Sequence, residues 1–362
     1  MTRYRLHAVA VVACLAVVLA APARRDVSAA ADTLPARLSD QEFWTLSQEI
    51  SEPNGYFRSD NLLSNELYYP IVLPQLVEQV KPGGVYLGVG PEQNFNYIAV
   101  IKPKMVFIAD VRRGNLHTQL MYKALFEMSA SRADFYARLF TKKRPELLAD
   151  SASALEIVNR FAEVATDGED AYKRNVQAIF DYLTKAPHRL PLAQEDLDGI
   201  EYVYRNFYWF GPSITYNSST NGGGRGGSMA SYAVLMTATD SAGAIRSYLA
   251  SEESYGVLKA LEERNLVVPI VGNFGGPKAL RAVGQYVRDR GAIVSAFYLS
   301  NVEQYLNQDG IWGHFCANVA SMPLDETSTF IRSGGGGFGG GSGLMNRLGS
   351  MLVETRASCG GS

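Results

Sequence analysis

The chain has 362 residues, of which 47% are hydrophobic and 19% charged, and its formal net charge is −2. That length suits one large domain or two modest ones, and that composition excludes global disorder. A near-neutral chain without a basic stripe leaves no footprint for nucleic acid, so none is expected as a partner.

The N-terminus reads as an export signal. Arg3 and Arg5 precede an apolar run from Ala8 to Ala23. The run is short for a bilayer span of about 20 residues. Small residues follow it, Ala21-Pro22-Ala23 and then Ala29-Ala30-Ala31, as a signal-peptidase site requires. Residues 1–31 are therefore expected to be a signal peptide, leaving no stable transmembrane anchor after cleavage. The destination would be periplasmic or secreted. Arg24-Arg25 follow the apolar run, so they do not form a twin-arginine signal.

A capping box, Ser39-x-x-Glu42, predicts a helix that ends near Pro53-Asn54-Gly55. Leu67 to Val80 reads as helical, with Pro70 and Pro74 as interruptions. Val85 to Val89 is a short β-type run after the turn Lys81-Pro82-Gly83-Gly84. Pro91 to Ile101 suits a helix, and Met105 to Ala109 is a second strand ending on Asp110. Strand, helix and strand at this spacing form a βαβ unit with parallel strands.

Helical periodicity dominates from Leu116 to Asn206, and helical sequence resumes at Met229 after a loop at Gly211–Ser228. Tyr172, Val176, Ile179, Phe180 and Leu183 share one helix face, as core contacts do. The aromatic cluster from Tyr202 to Phe210 reads as buried packing, with a carbohydrate or base platform as the alternative. Gly222 to Gly227 would be a mobile loop or a lid. A second α/β unit follows, with a strand at Leu266–Val271, the turn Gly272-Asn273-Phe274-Gly275-Gly276-Pro277 and a helix at Lys278–Arg290. Its last strand, Ile293–Leu299, ends on Ser300-Asn301. Pro269 fits poorly in a central strand. Residues 333–362 read as a Gly-rich disordered tail. The expected domain therefore spans 32–332, with a helical insertion over about 116–265. Its fold class is α/β: a Rossmann-like, doubly wound, mostly parallel sheet.

The glycine turn Gly88-Val89-Gly90 carries the chemistry. Glycines where a strand hands over to a helix permit a tight turn and close approach of a ligand. The free N–H groups of the helix behind Pro91 can hold a polar ligand. Asp110 follows Gly90 by about 20 residues, where nucleotide folds place the acid that binds a ribose hydroxyl. Gln93 stands where the full pattern has a third glycine. Glu92 and Asn94 would line one wall of the crevice, and Asn273, Ser300 and Asn301 the other, if the two turns lie side by side. Asn273 could instead hold its turn, and Asn301 could cap the helix near Val302. Arg112 and Arg113 could pair with Asp110 or Glu92, bind an anion, or be solvated.

His7, His117, His188 and His314 are scattered, so no metal is expected. Cys316 reads as a small core residue and Cys359 as part of the tail, although an exported compartment permits a disulfide. No Gly-x-Ser-x-Gly elbow supports serine hydrolase chemistry.

Three stretches carry a family likeness: Tyr86 to Phe95, Ile108 to Asn115 and Ala296 to Leu306. They resemble an uncharacterised bacterial family of exported proteins whose fold is similar to class I S-adenosylmethionine-dependent methyltransferases. The likeness spans roughly 40–332. It implies a methyltransferase-like sheet, with Gly88 and Gly90 beside the methionine part of S-adenosylmethionine and Asp110 on its ribose. Val85 stands where an acid usually opens that glycine motif, and no Asn-Pro-Pro-Tyr type motif is present. Two readings follow: an S-adenosylmethionine-dependent enzyme acting on a small molecule, or a non-catalytic extracytoplasmic binding protein on the same fold. The export signal opposes the first, because that cofactor is made in the cytosol. An exported hydrolase is a weaker third.

Overall fold

The computed structural model describes residues 32–219, 229–335 and 344–359. The expected signal peptide and the glycines 222–227 lie outside the described residues.

The first helix, α1 (Asp40–Ile50), opens with the predicted capping box. Ser39 Oγ accepts from the Glu42 N–H, and the Glu42 carboxylate accepts from the Ser39 N–H. A single turn at Tyr69–Val72 leads into α2 (Leu73–Gln79). Pro70 and Pro74 sit in first-turn positions, where no N–H donor is needed. Then come β1 (Val85–Val89), α3 (Gln93–Ile101) and β2 (Met105–Asp110), the predicted βαβ unit. Both strands are apolar runs buried on both faces, as parallel strands between helical layers must be.

Helices fill the interval before the next strand. They are α4 (Arg113–Met128), α5 (Arg132–Leu139), α6 (Ala154–Ala162), α7 (Glu169–Thr184), α8 (Gln194–Phe210), α9 (Tyr232–Thr237) and α10 (Glu252–Glu262). The aromatic run on α8 divides by face. Tyr204 and Phe207 are fully buried, while Trp209 is 72% exposed. The second α/β unit comprises β3 (Val267–Val271), α11 (Ala279–Asp289) and β4 (Val294–Ser300). It continues through α12 (Val302–Gln308) and α13 (Trp312–Ala320) to β5 (Thr329–Gly335), β6 (Leu344–Ser350) and α14 (Met351–Cys359).

The six strands form one sheet in the order β3-β2-β1-β4-β5-β6. The first four pairings are parallel and β5–β6 is antiparallel. The strand order reverses between β1 and β4, which is the switch point of a Rossmann-like sheet. Pro269 is accommodated because β3 is an edge strand. Its carbonyl still finds a donor in Ser47 Oγ of α1, 2.5 Å away.

Two expectations differ from this arrangement. The described residues beyond Ser333 are not a tail: β6 pairs with β5 along its length, and Met351 of α14 is fully buried. Cys316 is buried as expected, and it is also disulfide-bonded. Among the described residues, no helix is long and apolar enough to cross a membrane.

Candidate ligand crevice

Residues 51–64 form a strap that runs over the carboxyl ends of β3, β2 and β1. The Glu52 N–H donates to Val271 O at 2.8 Å, and the Gly55 N–H donates to Val111 O at 2.8 Å. The Ser64 N–H donates to the Glu92 carboxylate at 3.2 and 3.3 Å. Most of the polar groups expected to meet a ligand meet this strap or each other.

At the first turn, a Cβ added to Gly88 would lie 1.8 Å from Asn94 Oδ1. The close approach that requires glycine is thus made by Asn94 of the chain itself. Asn94 Nδ2 donates to the carbonyls of Val89, Gly90 and Pro91 at 2.9, 3.2 and 2.7 Å. Its Oδ1 accepts from the Tyr86 hydroxyl at 3.0 Å. Asn94 braces the turn and has no group left over. Gly90 has φ +76°, in the left-handed region that favours glycine. Its carbonyl also accepts from Gln119 Nε2 of α4 at 3.1 Å.

Asp110 ends β2 and is 4% exposed. Arg112 holds both of its oxygens, through Nε at 3.0 Å and Nη2 at 2.9 Å. The Arg112 backbone N–H adds a third bond at 2.9 Å. The same guanidinium donates to the strap carbonyls of Ser59 and Asp60. Arg113 turns elsewhere. It pairs with Asp196 at 2.7 Å, and its backbone N–H donates to Asn54 Oδ1 of the strap. Asp196 also bonds His117 Nε2 at 2.9 Å. Burial opposes the Asp196 charge, but the bonds from His117 and Arg113 outweigh it and hold the carboxyl well below its ordinary range.

The second turn does not lie beside the first. β2 stands between β1 and β3, so the turns are two strand spacings apart, about 10 Å. At its mouth, the free amides of α11 point at Glu52. That carboxylate accepts from the N–H groups of Asn273, Lys278 and Ala279 at 3.1, 2.9 and 2.9 Å. A Cβ on Gly276 would lie 2.4 Å from Glu52 Oε2. The helix N-terminus thus holds an anion, and the anion is the chain's own. Asn273 Oδ1 folds back onto the Gly275 N–H at 2.9 Å and holds the turn.

Ser300 ends β4 beside β1, and Asn301 follows it. Ser300 Oγ donates to Glu66 Oε1 at 2.6 Å, as does the Tyr298 hydroxyl. Asn346 of β6 donates to Glu66 Oε2 at 2.6 Å. Glu66 is fully buried and nails the C-terminal hairpin to the crevice. Asn301 stands at the N-cap of α12 without a side-chain capping bond. Glu92 does not line a wall. It is fully buried, and burial pushes its carboxyl up to about 8 although the Ser64 N–H opposes the shift. The crevice thus gathers Gly88, Gly90, Asn94 and Asp110 at its centre, with Ser300 and Asn301 on one flank and Asn273 beyond β2.

With that geometry in place, the family model of Domain of unknown function (DUF7790) matches residues 62–205 and 213–341. The chain belongs to the DUF7790 family. The match takes in β1 to β5 and the crevice residues from Glu66 to Ser333, and it leaves out Glu52 to Asn61 of the strap and β6. A comparison with curated proteins gives no match. At this site, sequence reasoning missed Glu52, Glu66 and the polar face of α4. Only α4 carries a readable signal. Asn115 and Gln119 recur at helical spacing in a helix whose residues 115–126 are all buried, where an apolar helix is the rule.

Proposed function

We propose that this chain is an exported binding protein on a methyltransferase-like fold. Its nucleotide crevice is covered by its own strap, and beneath that cover it binds a small nucleotide-type molecule without methyl transfer. One observation carries the reading. Both oxygens of Asp110, the acid placed to take a ribose, are held by Arg112, and Arg112 is tied to the strap carbonyls. The parallel order β3-β2-β1-β4-β5 with an antiparallel strand at the far edge supports the methyltransferase-like assignment. The N-terminal apolar run supports export, and the disulfide at Cys316 suits an oxidising compartment.

The residues present do not fit S-adenosylmethionine as they stand. Its ribose would have to displace Arg112 from Asp110, and its amino-acid end would find the nearby cations taken by Asp110 and Asp196. The competing enzyme reading draws on the left-handed Gly90 turn and on the spacing to Asp110. Calorimetry separates the two. S-adenosylmethionine and S-adenosylhomocysteine should give no heat at millimolar concentration. Micromolar binding that Asp110→Ala abolishes would restore the enzyme reading. For export, residues 1–40 fused to a periplasm-dependent reporter should give activity, and a silent but stable fusion would refute it.

A further inference from the structure

One face of α4 has polar groups that the protein leaves unsatisfied. Asn115 Nδ2 and Oδ1, Gln119 Oε1 and the Tyr122 hydroxyl are buried and have no hydrogen-bond partner. All three residues are at most 2% exposed. Their spacing, i, i+4 and i+7, puts them on one side of the helix. Gln119 Nε2 bonds the Gly90 carbonyl, so that side abuts the glycine turn. An added Cβ on Gly90 would meet only Asn61 of the strap, at 3.3 Å. Buried polar atoms without a partner are costly, and native proteins supply them with one.

We propose that Asn115, Gln119 and Tyr122 form the floor of the ligand site beneath the strap and take the vicinal diol of an uncharged ligand. The inference rests on the binding reading above and names the chemistry of its ligand. A carboxamide offers an N–H donor and a carbonyl acceptor side by side, and adjacent hydroxyls answer both. An anionic ligand is disfavoured. Arg112 and Arg113 are committed to Asp110 and Asp196, and the α11 amides are committed to Glu52. A cationic ligand is disfavoured as well, because burial keeps the Glu92 carboxyl largely protonated at neutral pH. Ribose of a nucleoside and a free sugar share the diol.

The test is calorimetry on the purified full chain at pH 7, with adenosine, methyl glucoside and 2′,3′-dideoxyadenosine at millimolar concentration. One of the two diols should bind. Heat from adenosine but not from its dideoxy analogue assigns a nucleoside, and heat from the glucoside alone assigns a sugar. Asn115→Leu or Gln119→Leu should weaken the diol by about 5- to 30-fold, the worth of one or two hydrogen bonds. The dideoxy comparison reads the same contact without any variant that could fail to fold. No heat from either diol overturns the proposal. A diol whose affinity neither variant changes also overturns it, yet leaves the binding reading standing. Methyl transfer from S-adenosylmethionine would instead sink the binding reading, and with it the inference that rests on it.

Discussion

The two glycine turns do the same local job and are closed in different ways. The turn at Gly88–Gly90 is filled by Asn94, from the first turn of the helix it introduces. The turn at Gly272–Pro277 is filled by Glu52, which lies 221 positions from Asn273 in the chain. The local closure is made by a side chain of the helix that the turn introduces. The remote closure depends on the strap, which alone brings Glu52 to the amides of Asn273, Lys278 and Ala279. The first turn is therefore closed by its own helix and the second by the strap.

Substitutions that undo one closure and spare the other sharpen that contrast. The largest effect is expected from Arg112→Ala. It leaves the buried Asp110 without its cation and releases the strap carbonyls of Ser59 and Asp60, which should cost about 3–5 kcal/mol in denaturant unfolding. An intact unfolding midpoint would mean that water already serves Asp110. Gly88→Ala strikes the local closure. Its methyl would collide with Asn94 Oδ1, and overpacking of this kind costs about 3 kcal/mol. Thermal denaturation should show this loss while the α11 amides keep their protection from exchange.

Glu92→Gln tests the contact between strap and first turn through pH. The folded carboxyl sits at about 8, above its ordinary 4.5. Its contribution to stability is thus fully present below about 4.5 and is lost as pH rises toward 8. The neutral variant escapes that loss, so it should gain steadily on the wild type across this window. Glu262 is also pushed up to about 8 by burial, but it is common to both proteins and drops out of the difference. A constant difference between pH 4 and 9 would contradict the buried placement of Glu92. The smallest effect belongs to Glu52→Ala. Losing an anion at a helix N-terminus costs about 1 kcal/mol, and limited proteolysis should then cut first within the strap.

The sheet was legible in the sequence because its central strands are apolar runs bounded by turn residues. The βαβ unit from Val85 to Asp110 therefore reads directly. The C-terminal hairpin was not legible, because β6 inverts the usual alternation. Asn346 faces inward to Glu66, while Met345 and Arg347 face out. The same limit governs the crevice. Gly88, Gly90 and Asp110 are visible by spacing, and Arg112 is close enough to Asp110 to be weighed as its partner. Glu52 and Glu66 carry no local signal, since each is defined by groups more than 200 positions away. The side-by-side turns assumed for the second α/β unit failed for a topological reason: β3 joined the outer edge of β2.

Hydrogen exchange read residue by residue tests the strap closure most directly. In the wild type, the amides of Asn273, Lys278 and Ala279 should exchange slowly. In Glu52→Ala they should exchange at rates near those of open helix ends, while the Phe95 amide, bonded within the first turn, stays unchanged. Fast exchange of those three amides in the wild type, or protection that survives the substitution, would contradict a crevice closed by its own carboxylate.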